Sequence, residues 1–208
     1  MKKLSLFILT IFLCLAPVAF ADWNPGDPHK WLQNPDLTPN GIDIRMDNRA
    51  GQRAIGDDFL CTETGPITDV HLWVSWKSDA NGPISGITLS IYSNNPSGPG
   101  GFSLPDYLLW SRQLTQSEFT QRLYYTLPSP QKEGWWDPRT GIYTANADSK
   151  IYQINININP LDAYVQEGSP THPVIYWLVV EPQLPAGSTM FGWKTRSYLE
   201  SHFMDDAV

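Results

Sequence analysis

Cysteine and positive charge are both scarce in this chain, and each scarcity excludes something. Of its two cysteines, Cys14 lies inside an apolar N-terminal run, so beyond that run only Cys61 is left. One thiol closes no internal disulfide, and packing alone must stabilise the fold. Lys and Arg number 14 against 21 Asp and Glu, and no stretch clusters the basic residues. That argues against nucleic-acid binding, whose affinity comes mainly from neutralising phosphates. It argues equally against attachment to an anionic membrane surface. Long runs of Ala, Leu, Glu and Lys are missing too, so helices have little to build on.

Catalytic signatures are also absent. There is no Gly-x-Ser-x-Gly elbow, and His29, His71, His172 and His202 are scattered without metal-ligand spacing. The glycines at 98–101 lead into Phe102-Ser103-Leu104-Pro105, a poor helix start, so no phosphate-cradling loop is indicated. The expected cofactor set is empty, with calcium as the one candidate.

The N-terminus carries a pattern of its own. Lys2 and Lys3 precede an apolar run over 4–15, Pro17 follows, and Ala19-Phe20-Ala21 places small residues where a signal peptidase reads. Residues 1–21 thus read as a cleavable secretory signal, too short in its apolar part for a permanent span of about 20 residues. Leu13 before Cys14 is too large for lipid-anchor processing. The mature chain is expected to be soluble and extracytoplasmic, in the periplasm or at the cell surface. Loss of Lys2 and Lys3 takes the formal charge from −7 to −9.

Beyond residue 21 the recurring signal is period-2 alternation. Val70, Leu72, Val74 and Trp76 alternate with His71, Trp73, Ser75 and Lys77. Ile87, Leu89 and Ile91 alternate with Thr88, Ser90 and Tyr92. Tyr152, Ile154, Ile156 and Ile158 alternate with Gln153, Asn155, Asn157 and Asn159, which predicts one apolar and one wet, amide-lined face. Residues 174–180 are apolar on both faces and predict a central strand. Residues 108–114 and 119–127 predict two more strands, hairpin-paired across 115–118. Pro- and Gly-rich loops are expected at 94–105 and 128–141, the second carrying Trp135-Trp136. One short helix is expected over 161–167, with Asn159 as cap and Pro160 at its first position. The sum predicts an all-β, antiparallel β-sandwich of jelly-roll type over 54–208, preceded by an extended lead-in at 22–53. The ending at Asp205-Asp206-Ala207-Val208 has no turn or polar tail, and reads as a sandwich lacking its last strand.

Two residue sets are candidates for binding. Asp57, Asp58, Asp205 and Asp206 offer oxygen ligands for calcium if the two ends of the domain meet. The second set is aromatic. Nine tryptophans is a heavy load for this length. Trp76 and Trp177 fit core faces, whereas Trp73 falls on the face of His71 and Trp135 and Trp136 lie in a polar loop. Exposed rings beside amides stack on the apolar faces of sugars, so Trp73, Trp135, Trp136 and His71 are candidate polysaccharide contacts.

Several segments in order carry a resemblance. They are Asp57-Asp58-Phe59-Leu60-Cys61-Thr62, Gly65-Pro66-Ile67-Thr68-Asp69-Val70-His71-Leu72-Trp73, Glu133-Gly134-Trp135-Trp136-Asp137-Pro138, Pro173-Val174-Ile175-Tyr176-Trp177-Leu178 and Phe191-Gly192-Trp193-Lys194-Thr195. From about Trp31 onward the chain resembles an uncharacterised domain family of secreted, often surface-sorted, bacterial proteins. The resemblance implies an extracytoplasmic β-rich domain and supplies no catalytic residues. Three functions follow as expectations. The first is a non-catalytic binding or structural module, with polysaccharide as the ligand. The second is a carbohydrate-active hydrolase or lyase using Asp58, Glu133 and Asp137. The third is a purely structural, surface-displayed domain.

Overall fold

The computed structural model describes residues 22–47, 54–98 and 100–197. The signal segment and the Asp205-Asp206 pair lie outside the described residues. The rest is all-β, as the alternation predicts, and its two main sheets pack as a sandwich. The large sheet runs β7 (Phe119–Thr126), β10 (Lys150–Asn157), β4 (Asp69–Trp76), β13 (Phe191–Lys194), β1 (Ile42–Arg45), β8 (Glu133–Asp137), β9 (Ile142–Asp148). The small sheet runs β2 (Ile55–Cys61), β12 (Val174–Gln183), β5 (Gly86–Asn95), β6 (Leu104–Thr115). A two-residue ladder joins β3 (Gly65–Pro66) to β11 (Val165–Gln166). β1 and β8 run parallel, while the other strand pairs are antiparallel.

The main core lies between the sheets. Leu72, Val74 and Trp76 of β4, Tyr152, Ile154 and Ile156 of β10 and Phe191 of β13 meet Ile87 and Leu89 of β5, Leu114 of β6 and Val180 of β12. These are the apolar members of the alternating runs, so the pattern chose the right face. β12 is central, between β2 and β5, as its two apolar faces require. Cys61 is buried beside Phe59, Ile91 and Tyr176, where it behaves as a small apolar residue.

Four local expectations need correction. Residues 104–126 form no hairpin: β6 belongs to the small sheet and β7 to the large one. Leu114 and Phe119 both enter the core, so the turn between them caps its edge and the strands part on either side. Glu118 fixes that turn by accepting from the Thr115 N–H and from Arg112. Residues 159–167 form no helix: a turn over 160–163 leads into β11. Asn159 accepts from the N–H groups of Leu161 and Asp162, and carbonyls a helix would use go elsewhere, Asp162 O to Trp110 Nε1 and Tyr164 O to the Ile67 N–H. The described part of the lead-in, residues 22–47, is built into the fold, since β1 lies inside the large sheet and Trp23 is buried. Finally, Trp135 and Trp136 belong to a strand, β8, and not to a loop.

The large sheet is strongly curled. One residue, Ser149, separates the end of β9 from the start of β10, yet four strands lie between them in the sheet. Laid flat, those two strands would be about 24 Å apart at about 4.8 Å per step. Two peptide units reach only about 7 Å. The β8–β9 hairpin must therefore fold back over the sheet, and it does so through a register break between Glu133 and Trp135, with Asn146 in the left-handed region. The end of the hairpin is tied down by Asp79, which accepts from the N–H groups of Ser149 and Lys150. The sheet stays open, with β7 and β9 as its edges. Its second face, away from the main core, is thereby enclosed.

Candidate functional site

The enclosed face carries the polar members of the alternating strands. β1 contributes Asp43 and Arg45, β13 contributes Lys194, β4 contributes Trp73 and Ser75, and β8 contributes Glu133, Trp135 and Asp137. The registers put these side by side: Asp43 pairs with Lys194 on one flank and with Trp135 on the other. Asp148, at the end of the folded-back β9, pairs with Glu133. Asp43, Glu133 and Asp148 are all fully buried, and an oxygen from each lies within 4.8 Å of the others.

Three converging carboxylates could accept a cation, and the fold supplies one. Lys194 Nζ lies 2.6 Å from Glu133 Oε2 and 3.9 Å from Asp43 Oδ2, both in dry surroundings. Gly41 makes room for it, since a β-carbon there would collide with Lys194 Nζ. The Trp135 ring lies across Gly192, where an added β-carbon would meet it at 2.9 Å and the Asp43 Cβ at 3.1 Å. The ring therefore walls the cluster beside Asp43, and Lys77 Nζ sits 5.8 Å from its centroid.

The electrostatics follow from burial. Desolvation holds the Asp43 carboxyl well above the usual carboxylate range; Lys194 opposes this and the charge of Asp148 adds to it. Desolvation pushes Glu133 up to about 8 and Asp148 up to about 7, with Lys194 again opposing. The groups are close but poorly satisfied. Neither oxygen of Asp43, Glu133 or Asp148 makes a well-formed hydrogen bond, and neither do Lys194 Nζ and Ser75 Oγ. So many unsatisfied groups in one dry place call for a chemical explanation.

A second buried polar unit adjoins the first. The Arg45 guanidinium donates to both oxygens of Asp47, at 2.8 and 3.1 Å, and to Asp137 at 2.7 Å. It fastens β8 to β1 and holds the Asp137 carboxyl below its ordinary range, although burial pushes the other way. Further along the sheet, Trp23 and Trp73 meet edge to face at 5.6 Å, with Ile151 and Tyr124 beside them. The amide face of β10 is therefore not wet. Gln153 donates to Trp23 O, Asn155 donates to Asp22, and Arg122 donates to Gln153.

The residues singled out from sequence are distributed as follows. Trp73 is 7% exposed and Trp135 is fully buried, so the open aromatic platform does not form. His71 is half-buried between Asp69, at 3.2 Å, and Asn155, at 2.7 Å. Trp136 is half-buried and faces away from the cluster, directly opposite Tyr143 of β9, which is 53% exposed. Asp57 and Asp58 point to opposite faces of β2 and do not converge; Ser103 Oγ lies 3.5 Å from Asp58. Trp177 is buried, but on the outer face of the small sheet, where its Nε1 donates to Asn94. Sequence reasoning missed Asp43, Asp148, Lys194 and Arg45. The available signal was the alternation of Glu133, Trp135 and Asp137, whose inward members include acids and so read as a polar loop.

Fold and site together define an all-β sandwich domain whose larger sheet is curled around a dry acid–lysine cluster. The chain belongs to the family described as Domain of unknown function (DUF7901), whose model matches residues 29–208. No curated protein and no solved structure matches it.

Proposed function

We propose that this is a non-catalytic structural module of an exported, surface-displayed protein. The observation that carries this reading is where the chemistry-bearing residues sit. The acids and rings that would line a cleft are used inside the domain. Glu133 and Asp137 face the enclosed side of the large sheet, while Asp58 lies in the other sheet, so these acids share no cleft. A shallow surface concavity lined by Asn81, Pro83, Ile84, Gln116 and Gln121 offers neither an acid nor a tryptophan. The N-terminal Lys-Lys, apolar run and Ala-Phe-Ala support export.

One observation favours a second reading, a polysaccharide-binding module. Trp136 and Tyr143 form a cross-strand pair on the outward side of the β8–β9 hairpin, with Tyr143 lying over Gly134, where an added β-carbon would strike its hydroxyl. Arg45 and the buried cluster brace the opposite side of that hairpin. Soluble glycans titrated against the folded protein, with tryptophan fluorescence as readout, separate the two readings. The structural module gives no saturable change. A saturable change that disappears in Tyr143→Ala overturns it in favour of sugar binding through this pair.

A further inference from the structure

We propose that Lys194 and Asp43 condense with each other into an intramolecular amide, a covalent tie between β13 and β1 that the folded domain forms without an enzyme. The inference stands on the geometry of the cluster and is independent of the display reading. Asp43 and Lys194 are directly opposed in the β1–β13 register and project from the same face. Lys194 Nζ is 3.9 Å from Asp43 Oδ2, so bond formation needs only a small approach. Cross-strand partners are held at this range by the sheet itself. Such placement turns an ordinarily hopeless encounter into a unimolecular one, with effective molarities of about 10⁵–10⁸ M in well-oriented cases.

The surroundings supply what condensation requires. A carboxylate resists attack by an amine, whereas a carboxylic acid accepts it; the buried Asp43 carboxyl keeps its proton more readily than an ordinary aspartate. An ammonium cannot attack either, and must first lose a proton. Glu133, 2.6 Å from Nζ, is placed to take it in molecules where it is ionised, and the burial that raises its proton affinity makes it the stronger base. The free amine then adds to Asp43 Cγ, and the new C–N bond forms as the carbonyl π pair moves to oxygen. Glu133 returns the first proton to the departing hydroxyl and, ionised again, takes the second from the adduct nitrogen, and with it the ammonium's extra proton finally leaves. The C–O bond breaks, and one water leaves. Amine and acid thus become amide and water, with no oxidant or reductant. The Trp135 ring beside Asp43 and the full burial of the cluster keep water from reversing the step.

The tie also accounts for the unsatisfied atoms. As separate groups, Asp43 and Lys194 leave both carboxylate oxygens and Nζ without a well-formed hydrogen bond. As an amide they carry no charge, and they offer one N–H and one C=O to Glu133, Asp148 and Ser75. A bound cation would have to share the space with Lys194 Nζ, which Gly41 leaves room for and Glu133 already contacts.

Mass spectrometry of the purified full chain tests this directly. The expected intact mass is lower than that of the same chain without the bond by one water. Tryptic digestion should leave Lys194 uncut and join residues 31–45 to residues 151–196 through an Asp43–Lys194 link. Lys194→Arg keeps a cation in the cluster and should restore the full mass. Glu133→Gln, with folding checked by circular dichroism, should leave most of the protein unlinked. Free 31–45 and a normally cleaved Lys194 in the wild-type digest overturn the proposal. So does a link from 151–196 to residues 133–139, which would make Glu133 the acceptor. A water loss that persists in Lys194→Arg also overturns it, since dehydration would then lie elsewhere.

Discussion

Replacing Arg45 by Met isolates how much the second buried unit contributes to the fold. The guanidinium is 1% exposed and makes three charge-assisted bonds to Asp47 and Asp137. Methionine fills similar space but leaves both carboxylates without it. Removing one partner of a buried ion pair costs about 3–5 kcal/mol, against at most about 1 kcal/mol for a surface bridge. The pH dependence gives a second handle. Arg45 holds Asp137 below its ordinary range, so its contribution is present above a pH of about 4 and fades as pH falls through the lower, folded value. In Arg45→Met, Asp137 takes up a proton more easily, and the penalty shrinks on acidification. Urea unfolding of both proteins at pH 7 and pH 4 should show a gap of about 3–5 kcal/mol at pH 7 that narrows at pH 4. Adding Asp137→Asn to the variant should recover part of the loss, because one of the two buried carboxylate charges is gone. An equal gap at both pH values, or a gap under about 1 kcal/mol at pH 7, would refute the claim that the pair is buried and coupled.

Two further outcomes follow from the enclosed face. Glu133 and Asp148 have folded values of about 8 and about 7, raised by burial, so the native state holds protons that the unfolded chain has released. Stability is then greatest below the unfolded values and falls as pH rises from there to the folded values, by at most about 1.4 kcal/mol per pH unit for each group, levelling off above 7 to 8. His71, raised by Asp69 and Asn155 against the opposing effect of burial, has the same sign. A urea midpoint higher at pH 8 than at pH 5.5 would contradict this. Trp73→Ala should cost about 3–5 kcal/mol, as for a core aromatic. A loss within about 0.5 kcal/mol would mark the ring as a surface group after all.

The main core was legible because its strands follow the simplest rule. Leu72, Val74 and Trp76, or Tyr152, Ile154 and Ile156, alternate with polar residues, and the apolar set faces the second sheet. Strand pairing was less legible. Leu114 and Phe119 are separated by a turn of hairpin length, and nothing local distinguishes a hairpin from a crossing between sheets. That choice depends on which sheet has room for each apolar face. The segment after Asn159 failed differently: it has a helix's opening residues, but its carbonyls are claimed by Trp110 and Ile67 from elsewhere in the fold.

The candidate site was illegible for a related reason. Alternation reads polar as outward, and in most antiparallel sheets it is. Here the one-residue link through Ser149 forces the β8–β9 hairpin back over the sheet, so polar residues of β1, β4, β8 and β13 become interior, while the N-terminal segment around Trp23 covers those of β10. An interior of Asp43, Glu133, Asp148 and Lys194 is costly if the groups stay charged and unbonded. It is far less costly if protons are retained or if amine and acid are joined. The curl of the sheet and the chemistry of the cluster are thus one design problem: a sheet that encloses its polar face must neutralise what it encloses. Tryptophan is the other half of that solution. Trp73 and Trp135 supply apolar walls around groups that need partners, so these two indoles sit beside amides and acids in the interior.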